Sequence, residues 1–345
     1  MAVPAKSFVR ERWMSPISDA GAPGEESAVV ENLVTTIIPV YNRPQMIVKA
    51  VNSVIAQTYR PIELILVNDG STDNTGEVLE QLALQHPGIV RVLHQQNSGA
   101  GLAREAGRLL ARGQYIQYLD SDDWLLPGKF ATQVAALRRH PECDIAYGIT
   151  QLVNESGEVV NPRSKRTGER HDYLFPGLLV DRWWHTHTPL YSRQLCDLAG
   201  AWPKQRPEDW DLEARMGAHR ARLIYCDTAV SCHLDHDSDK RFSRGNREAY
   251  LRDEAWFLPR LYDCAIAGGV TAQAPEMEHF SRWVFMRARH LGAIGETELA
   301  QCLFELAARA SPRCSLKMRI AGLLSAVVGW RTLGRMAGLW ERLSS

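Results

Sequence analysis

Tyr115-Ile116-Gln117-Tyr118-Leu119, followed at once by Asp120-Ser121-Asp122-Asp123, reads as an apolar strand that ends in carboxylates. Side chains alternate along extended backbone, so Asp120 and Asp122 are expected on one side and Asp123 is expected to point away. That places two hard oxygen ligands together. Mg2+ and Mn2+ take such ligands, commonly one or two carboxylates plus substrate phosphates, so the pattern suits a nucleotide whose pyrophosphate completes the coordination. The same four residues also read as an acidic turn capping a helix, with Pro127 in that helix's first turn. Alone, they leave both readings open.

Working outward, short runs of branched residues alternate with helical patterns from Val34 onward, the signature of a mostly parallel sheet. Val34 to Val40, Ile62 to Val67 and Val90 to Leu93 read as strands preceding the one that ends at Asp120. Between them, Ile47, Val51, Val54 and Ile55 recur at helical spacing after Pro44; Val78, Leu79 and Leu82 follow the turn-rich Asn68 to Asn74; and Leu102, Ala106, Leu109 and Leu110 follow Asn97-Ser98-Gly99. Open α/β sheets bind ligands at the carboxyl ends of their strands, so 41 to 43, 68 to 73, 97 to 104 and 120 to 123 should share one rim. A helix over Phe130 to Arg139 and a strand over Asp144 to Thr150 come next, and periodicity weakens from Asn154 to Asp172. Residues 251 to 345 read as several helices.

The composition narrows the class. With 345 residues, 45% of them hydrophobic, the chain can bury a substantial core. Lys plus Arg and Asp plus Glu both number 40, so no overall basic field attracts nucleic acid, and a phosphate-bearing ligand must be met locally. Seven cysteines without a Cys-x-x-Cys pair signal neither a disulfide framework nor a zinc site, which fits a reducing cytosol. Residues 1 to 32 mix charge with Pro, Gly and Ser and read as a leader lacking the apolar core of a secretory signal. The expected localisation is cytoplasmic.

Five short motifs then stand in order: Pro39-Val40-Tyr41-Asn42, Asn68-Asp69-Gly70-Ser71, Asn97-x-Gly99 with Ala103-Arg104, Asp120-x-Asp122-Asp123, and Glu208-Asp209. In that order and spacing, across roughly 33 to 236, the chain resembles the family 2 glycosyltransferases, inverting enzymes of the GT-A fold that use nucleotide sugars. The resemblance implies an α/β, Rossmann-like, mostly parallel central sheet flanked by helices, with a helical C-terminal extension. It implies a catalytic domain over 33–250, with a nucleotide-binding half at 33–150 and an acceptor-side half at 151–250, before the helical region 251–345. Gly99-x-Gly101 alone reads as part of a dinucleotide fingerprint, but Arg104 occupies the third glycine position, and no Gly-x-x-x-x-Gly-Lys phosphate loop is present.

Each motif also has a chemical reading. An Asp in a loop can accept the imide N–H of uracil, a role that resemblance assigns to Asp69. Pro39, Tyr41 and Asn42 would meet base or ribose. Arg104 offers a fork of donors suited to a diphosphate or base. By resemblance Asp120 and Ser121 lie at the ribose side, Asp122 ligates Mn2+ or Mg2+, and Asp123 supports them. Inversion needs a base on the acceptor side and charge stabilisation on the leaving side; Asp209 is the candidate base, with Glu208 and Asp211 as lesser candidates. In Ser231-Cys232-His233-Leu234-Asp235-His236 a histidine would approach the metal, and His236 is preferred to His233. Trp183 and Trp184 are expected in the acceptor pocket, although a buried tryptophan pair fits the residues equally.

Two departures qualify the resemblance. Glu105 follows the Ala-Arg pair where many relatives have Asn, and no Gln-x-x-Arg-Trp motif follows Glu208-Asp209, which argues against a processive synthase. The expected partners are a nucleotide-sugar donor, which the resemblance at Asp69 implies to be a UDP-sugar, and a glycan or lipid-linked acceptor. Ile320 to Trp330 is too short for the roughly 20 residues that span a bilayer, yet its flanking Lys317, Arg319, Arg331 and Arg335 allow peripheral contact with the inner face of a membrane. Packing of this tail on the catalytic domain is the favoured alternative. Competing functional classes are a sugar nucleotidyltransferase and an inactive glycosyltransferase-like binding subunit.

Overall fold

Branched residues crowd the first two strands because both faces of the sheet are covered by helices, so neither face can be polar. The computed structural model describes residues 29–235, 247–311, 318, 320 and 329–332. Its strands are β1 Val30–Val40, β2 Ile62–Asp69, β3 Val90–Gln95, β4 Gly113–Tyr118, β5 Trp124–Leu125, β6 Ile145–Val153, β7 Val159–Asn161, β8 Leu190–Ser192 and β9 Leu223–Leu234. They form one sheet in the order β3-β2-β1-β4-β8-β6-β9-β5, with β7 beside β6. The helices are α1 Met46–Ile55, α2 Thr75–Gln85, α3 Ala100–Leu110, α4 Lys129–Arg139, α5 Arg193–Ala199, α6 Glu208–Ala218, α7 Arg247–Ala267, α8 Pro275–Ile294 and α9 Thr297–Ala310.

Alternation along the strands divides the core in two. Ile38, Leu64 and Leu66 pack with Ile47, Val51 and Val54 of α1 and Leu79 and Leu82 of α2. Ile37, Ile65 and Val67 face the other way, towards Ala103 of α3 and the cluster that includes Leu212 of α6 and Phe257 of α7. The expected parallel arrangement holds for β3, β2, β1 and β4. Beyond β4 the sheet is mixed: β8 runs antiparallel to both β4 and β6, and β5 is antiparallel to β9. These additions carry the second half of the site.

Two boundaries differ from the sequence reading. β1 begins at Val30, inside the stretch expected as leader, because the Val30 amide donates to the Arg112 carbonyl at 2.8 Å and the Tyr59 hydroxyl donates to the Asn32 carbonyl at 2.7 Å. Residues 1–28 lie outside the described residues. The acidic tetrad also departs from strand alternation. β4 ends at Tyr118, the Asp123 amide donates to the Asp120 carbonyl at 3.2 Å, and the chain turns into β5. Since α4 starts only at Lys129, this turn caps no helix.

The C-terminal helices pack directly on α6. Arg260 of α7 donates to both carboxylate oxygens of buried Asp211, at 2.6 and 3.3 Å. Trp210 lies against Phe257 of α7 and stacks on Trp283 of α8, with centroids 5.4 Å apart. Farther on, buried Trp330 donates its indole N–H to Gln301 at 2.8 Å, so that end of the apolar tail packs on α9. Residues 321–328 lie outside the described residues. Among the described residues, no helix is long and apolar enough to cross a membrane.

Gly101 explains half of the Gly-x-Gly pair. A Cβ there would overlap the Pro203 carbonyl oxygen and press on Glu208 Cβ at 3.3 Å, so α3 can approach the segment before α6 only without a side chain. Gly101→Ala should therefore destabilise the protein by about 1–3 kcal/mol despite the helix preference for Ala. A lower urea midpoint with unchanged slope is expected, and an unchanged midpoint would refute this close approach.

Candidate active site

The strand ends meet along one rim, and short polar side chains fasten its loops. Asn42 accepts from the Thr72 amide at 2.8 Å and donates to the Thr72 hydroxyl at 3.2 Å, tying the loop after β1 to the loop after β2. Its φ of 51° is a conformation that Asn tolerates better than most residues. Pro39 is buried in β1 opposite Val67. Tyr41, 46% exposed, presents an aromatic ring at the rim.

Asp69 faces inward. One oxygen accepts from Gln95 Nε2 at 2.7 Å and the Ser98 amide at 2.8 Å, and the other accepts from the Gly99 amide at 2.9 Å. The carboxylate shapes the 95–99 loop, where Gly99 takes a φ of 94°. Three of its roughly four acceptor directions are used by the loop, which leaves one on Oδ2 for a base N–H.

Arg104 is also more internal than expected. Only 5% exposed, it donates to Asp120 at 2.6 Å and to Glu208 at 2.9 Å, and its guanidinium lies 4.8 Å from the centre of the Trp202 ring. It bridges two acidic motifs instead of reaching for a diphosphate. Burial opposes its charge, but Asp120 and Glu208 more than compensate and keep it protonated.

The acidic turn sorts its carboxylates by depth. Asp120 and Asp122 keep 31% and 24% of their side chains exposed, and Asp122 accepts from Arg43 at 3.0 Å; Ser121 between them is half-buried. Asp123, 1% exposed, accepts the Leu234 amide at 3.0 Å and lies 2.8 Å from His187 Nδ1 and 3.0 Å from His233 Nδ1. Burial alone would raise its carboxyl, yet His187 and His233 hold it far below the usual range. Burial likewise works against a charge on His233, while Asp123, Asp120 and Asp122 raise its pKa above the ordinary value. The fully buried His187 has ring nitrogens without aligned hydrogen-bond partners, although Nδ1 is at ion-pair distance from Asp123. The distance marks an electrostatic contact whose angle is poor for a hydrogen bond.

These residues form the group among the described residues whose donor atoms can converge on a cation: Asp123, His187 and His233. His185 stacks on His233 with centroids 4.1 Å apart and pairs its Nε2 with the Ser164 hydroxyl at 2.9 Å; burial first, then the neighbouring histidines, keep it neutral. His233 is the loop histidine of this group, and His236, the one preferred from the sequence, lies outside the described residues.

Across the cleft, Pro207 leads into α6, whose first turn carries Glu208 and Asp209. Asp209 Oδ2 forms an ion pair with Arg182 Nη1 at 2.8 Å, and the carboxylate accepts from the Thr186 hydroxyl at 3.3 Å and from the Trp210 amide at 2.8 Å. Burial tends to raise its carboxyl, but Arg182, Arg104 and Lys165 outweigh that and lower it. Burial raises Glu208 despite Arg104. The two neighbouring acids are thus pushed apart in acidity.

Trp183 and Trp184 do not line an acceptor pocket. Both are 1% exposed, and Trp184 donates its indole N–H to buried Glu213 at 2.8 Å. Their aromatic surface fills the core beneath the site, as hydrophobic burial favours for such large rings. The sequence reading missed Arg43, Arg182 and Glu213, because their partners are 79, 27 and 31 residues away and no local spacing marks them.

Residues 35–195 match the profile of Glycosyl transferase family 2. It is 35% identical over 161 residues to the uncharacterized glycosyltransferase YibD of Escherichia coli, covering 45% of this chain and 46% of YibD. The chain spans between 18% and 62% of the length of such relatives. Among solved structures it is similar to S. aureus TarS 1-349 in complex with UDP-GlcNAc, with TM-score 0.57, 15% identity, and coverage of 89% of this chain and 91% of that one. It is also similar to the mannosyltransferase PcManGT from Pyrobaculum calidifontis in complex with GDP-Man and Mn2+, with TM-score 0.51, 16% identity, and coverage of 97% and 93%. At such identities these likenesses establish the GT-A fold.

Asp69→Ala removes the acceptor of two loop amides and one side chain. Faster hydrogen exchange at Ser98 and Gly99 is expected, with a loss of about 1–3 kcal/mol in stability. Unchanged protection at both amides would contradict the loop-fastening role.

Proposed function

We propose that this family 2 glycosyltransferase moves a sugar, with inversion, from a nucleoside diphosphate, read as UDP, to an acceptor hydroxyl of a glycan or lipid-linked saccharide. The observation that carries this reading is the Arg104 bridge, because one guanidinium brings the acid at the end of β4, Asp120, beside the acid at the start of α6, Glu208. Nucleotide and acceptor functions then face each other. Asp120 and Ser121 are assigned to the ribose side, Pro39, Tyr41 and Asn42 to the base side, and Asp69 to shaping the loop beside them.

A divalent cation fits the acidic rim. Asp122 and His233 are its partly exposed donors, while buried Asp123 bonds His233 Nδ1 and fixes the ring so that Nε2 is the ligand. A mixed carboxylate and imidazole set suits Mn2+ better than Mg2+, which prefers oxygen throughout. When bound, the ion supplies Lewis-acid stabilisation of the departing diphosphate. Arg43 holds Asp122 at 3.0 Å and shields its charge.

In a single displacement, the acceptor oxygen forms a bond to the anomeric carbon as the bond from that carbon to the phosphate oxygen breaks. The acceptor proton passes to Asp209, and the diphosphate leaves with the electron pair. Asp209 is preferred to Glu208 because it is the more exposed, at 25% against 14%, and because Glu208 is held by Arg104. Its lowered pKa keeps it ionised at neutral pH, ready to accept.

Two variants test the assignments. Asp122→Asn should abolish the Mn2+-dependent part of UDP binding by calorimetry, and undiminished Mn2+-dependent affinity would remove Asp122 from the metal. Asp209→Asn should leave donor binding intact and lower turnover by about 10² to 10⁴-fold. Wild-type turnover in that variant would sink the base assignment.

A further inference from the structure

The strongest unassigned group near the cleft is a buried polar column that ends on Asp209. At its base, Glu213 of α6, 1% exposed, accepts from Trp184 Nε1 at 2.8 Å, the Tyr191 hydroxyl at 3.2 Å, and Arg182 twice, at 2.8 and 2.7 Å. Four donors fix that carboxylate. The paired bonds fix the plane of the Arg182 guanidinium in turn, and its remaining Nη1 meets Asp209 Oδ2 at 2.8 Å.

We propose that Arg182 is the positioning residue for Asp209, holding its carboxylate in one orientation towards the acceptor through an anchor built by Glu213, Trp184 and Tyr191. This inference rests on the reading of Asp209 as the base. It gives Trp184 a role that acceptor stacking would not require: the indole fixes the acid that aims the cation.

The surroundings of Asp209 make the proposal specific. On its own helix stand Glu208 and Asp211; Arg104 approaches from α3, Lys165 from the loop after β7, Arg182 from the loop before β8, and Tyr250 from α7. Arg104 is shared with Asp120 and Glu208, and the Lys165 ammonium donates to the carbonyls of Arg182 and Trp184, at 3.3 and 2.9 Å. Arg182 is the cation in direct ion-pair contact with the Asp209 carboxylate, at 2.8 Å. Its removal should therefore raise the pH at which Asp209 ionises.

The test needs no knowledge of the natural substrate. In protein labelled with 13C at Asp carboxyls, the resonance lost in Asp209→Asn is assigned to Asp209 and titrated. Arg182→Gln should move its midpoint upward by about one pH unit or more, whereas Arg182→Lys, which keeps a cation but loses the fork, should move it less. Because Arg182→Gln leaves Glu213 buried without its partner, the double variant Arg182→Gln/Glu213→Gln removes both charges and should show the same upward shift. An unchanged midpoint in the single or the double variant overturns the proposal.

Kinetics separate orientation from mere charge. With a turned-over nucleotide sugar, Arg182→Lys should lower kcat on the order of 10²-fold at unchanged donor KM, since it restores charge and not alignment. Wild-type kcat in Arg182→Lys also overturns the proposal. If Asp209→Asn itself keeps full turnover, the base reading fails first, and the two failures are distinguished.

Discussion

One buried guanidinium joins the two halves of this protein. Arg104 stands on α3, between the strand that ends at Asp120 and the helix that begins at Glu208, and donates to both acids. Taking a guanidinium out of water costs several kcal/mol, and two carboxylates with a Trp202 face beside them offset that cost. The bridge works only if α3 lies close to the segment before α6, and Gly101 permits that approach. Backbone, charge and packing thus constrain the same few ångströms. Losing the cation would leave two carboxylates facing each other across the cleft.

The acids of the cleft gain different chemistry from depth and partners. At the end of β4, Asp120 and Asp122 are partly exposed and meet Arg104 and Arg43, whereas buried Asp123 meets the histidines behind them. At the start of α6, Glu208 gives its charge to the bridge and Asp209 is held by Arg182. Carboxylates of one chemical type thereby differ in depth and in the cation each one meets. Sequence order alone could not show these differences, because each depends on which cation arrives from a distant segment.

That distinction also explains what was legible in the sequence. β1 to β4 and α1 to α3 were visible because their apolar periods are local and strong, and the rim followed from the rule that ligands meet strand ends. Trp183 and Trp184 were misread because an exposed stacking platform and a buried pair have the same sequence, and only the distant Glu213 decides between them. Asp123 was undervalued because strand alternation was assumed through a segment that turns. Strand β8, three residues long, lacked the length to announce itself, yet it inserts between β4 and β6 and carries Tyr191 to Glu213.

The C-terminal helices belong to the same mechanical argument. Asp211 lies two residues beyond Asp209 on α6 and is buried between Arg215 and Arg260, the latter delivered by α7. Trp210, between the two acids, is held by Phe257 and Trp283 and donates its indole N–H to the Leu178 carbonyl at 3.1 Å. A helix held on consecutive positions around Asp209 has little freedom to rotate about its axis, and rotation is the motion that would swing a first-turn carboxylate away from an acceptor. The helical region thereby fixes the direction of α6, while Arg182 fixes the carboxylate on it. Orientation of the Asp209 carboxylate is accordingly set twice, once at the level of the helix and once at the level of the side chain.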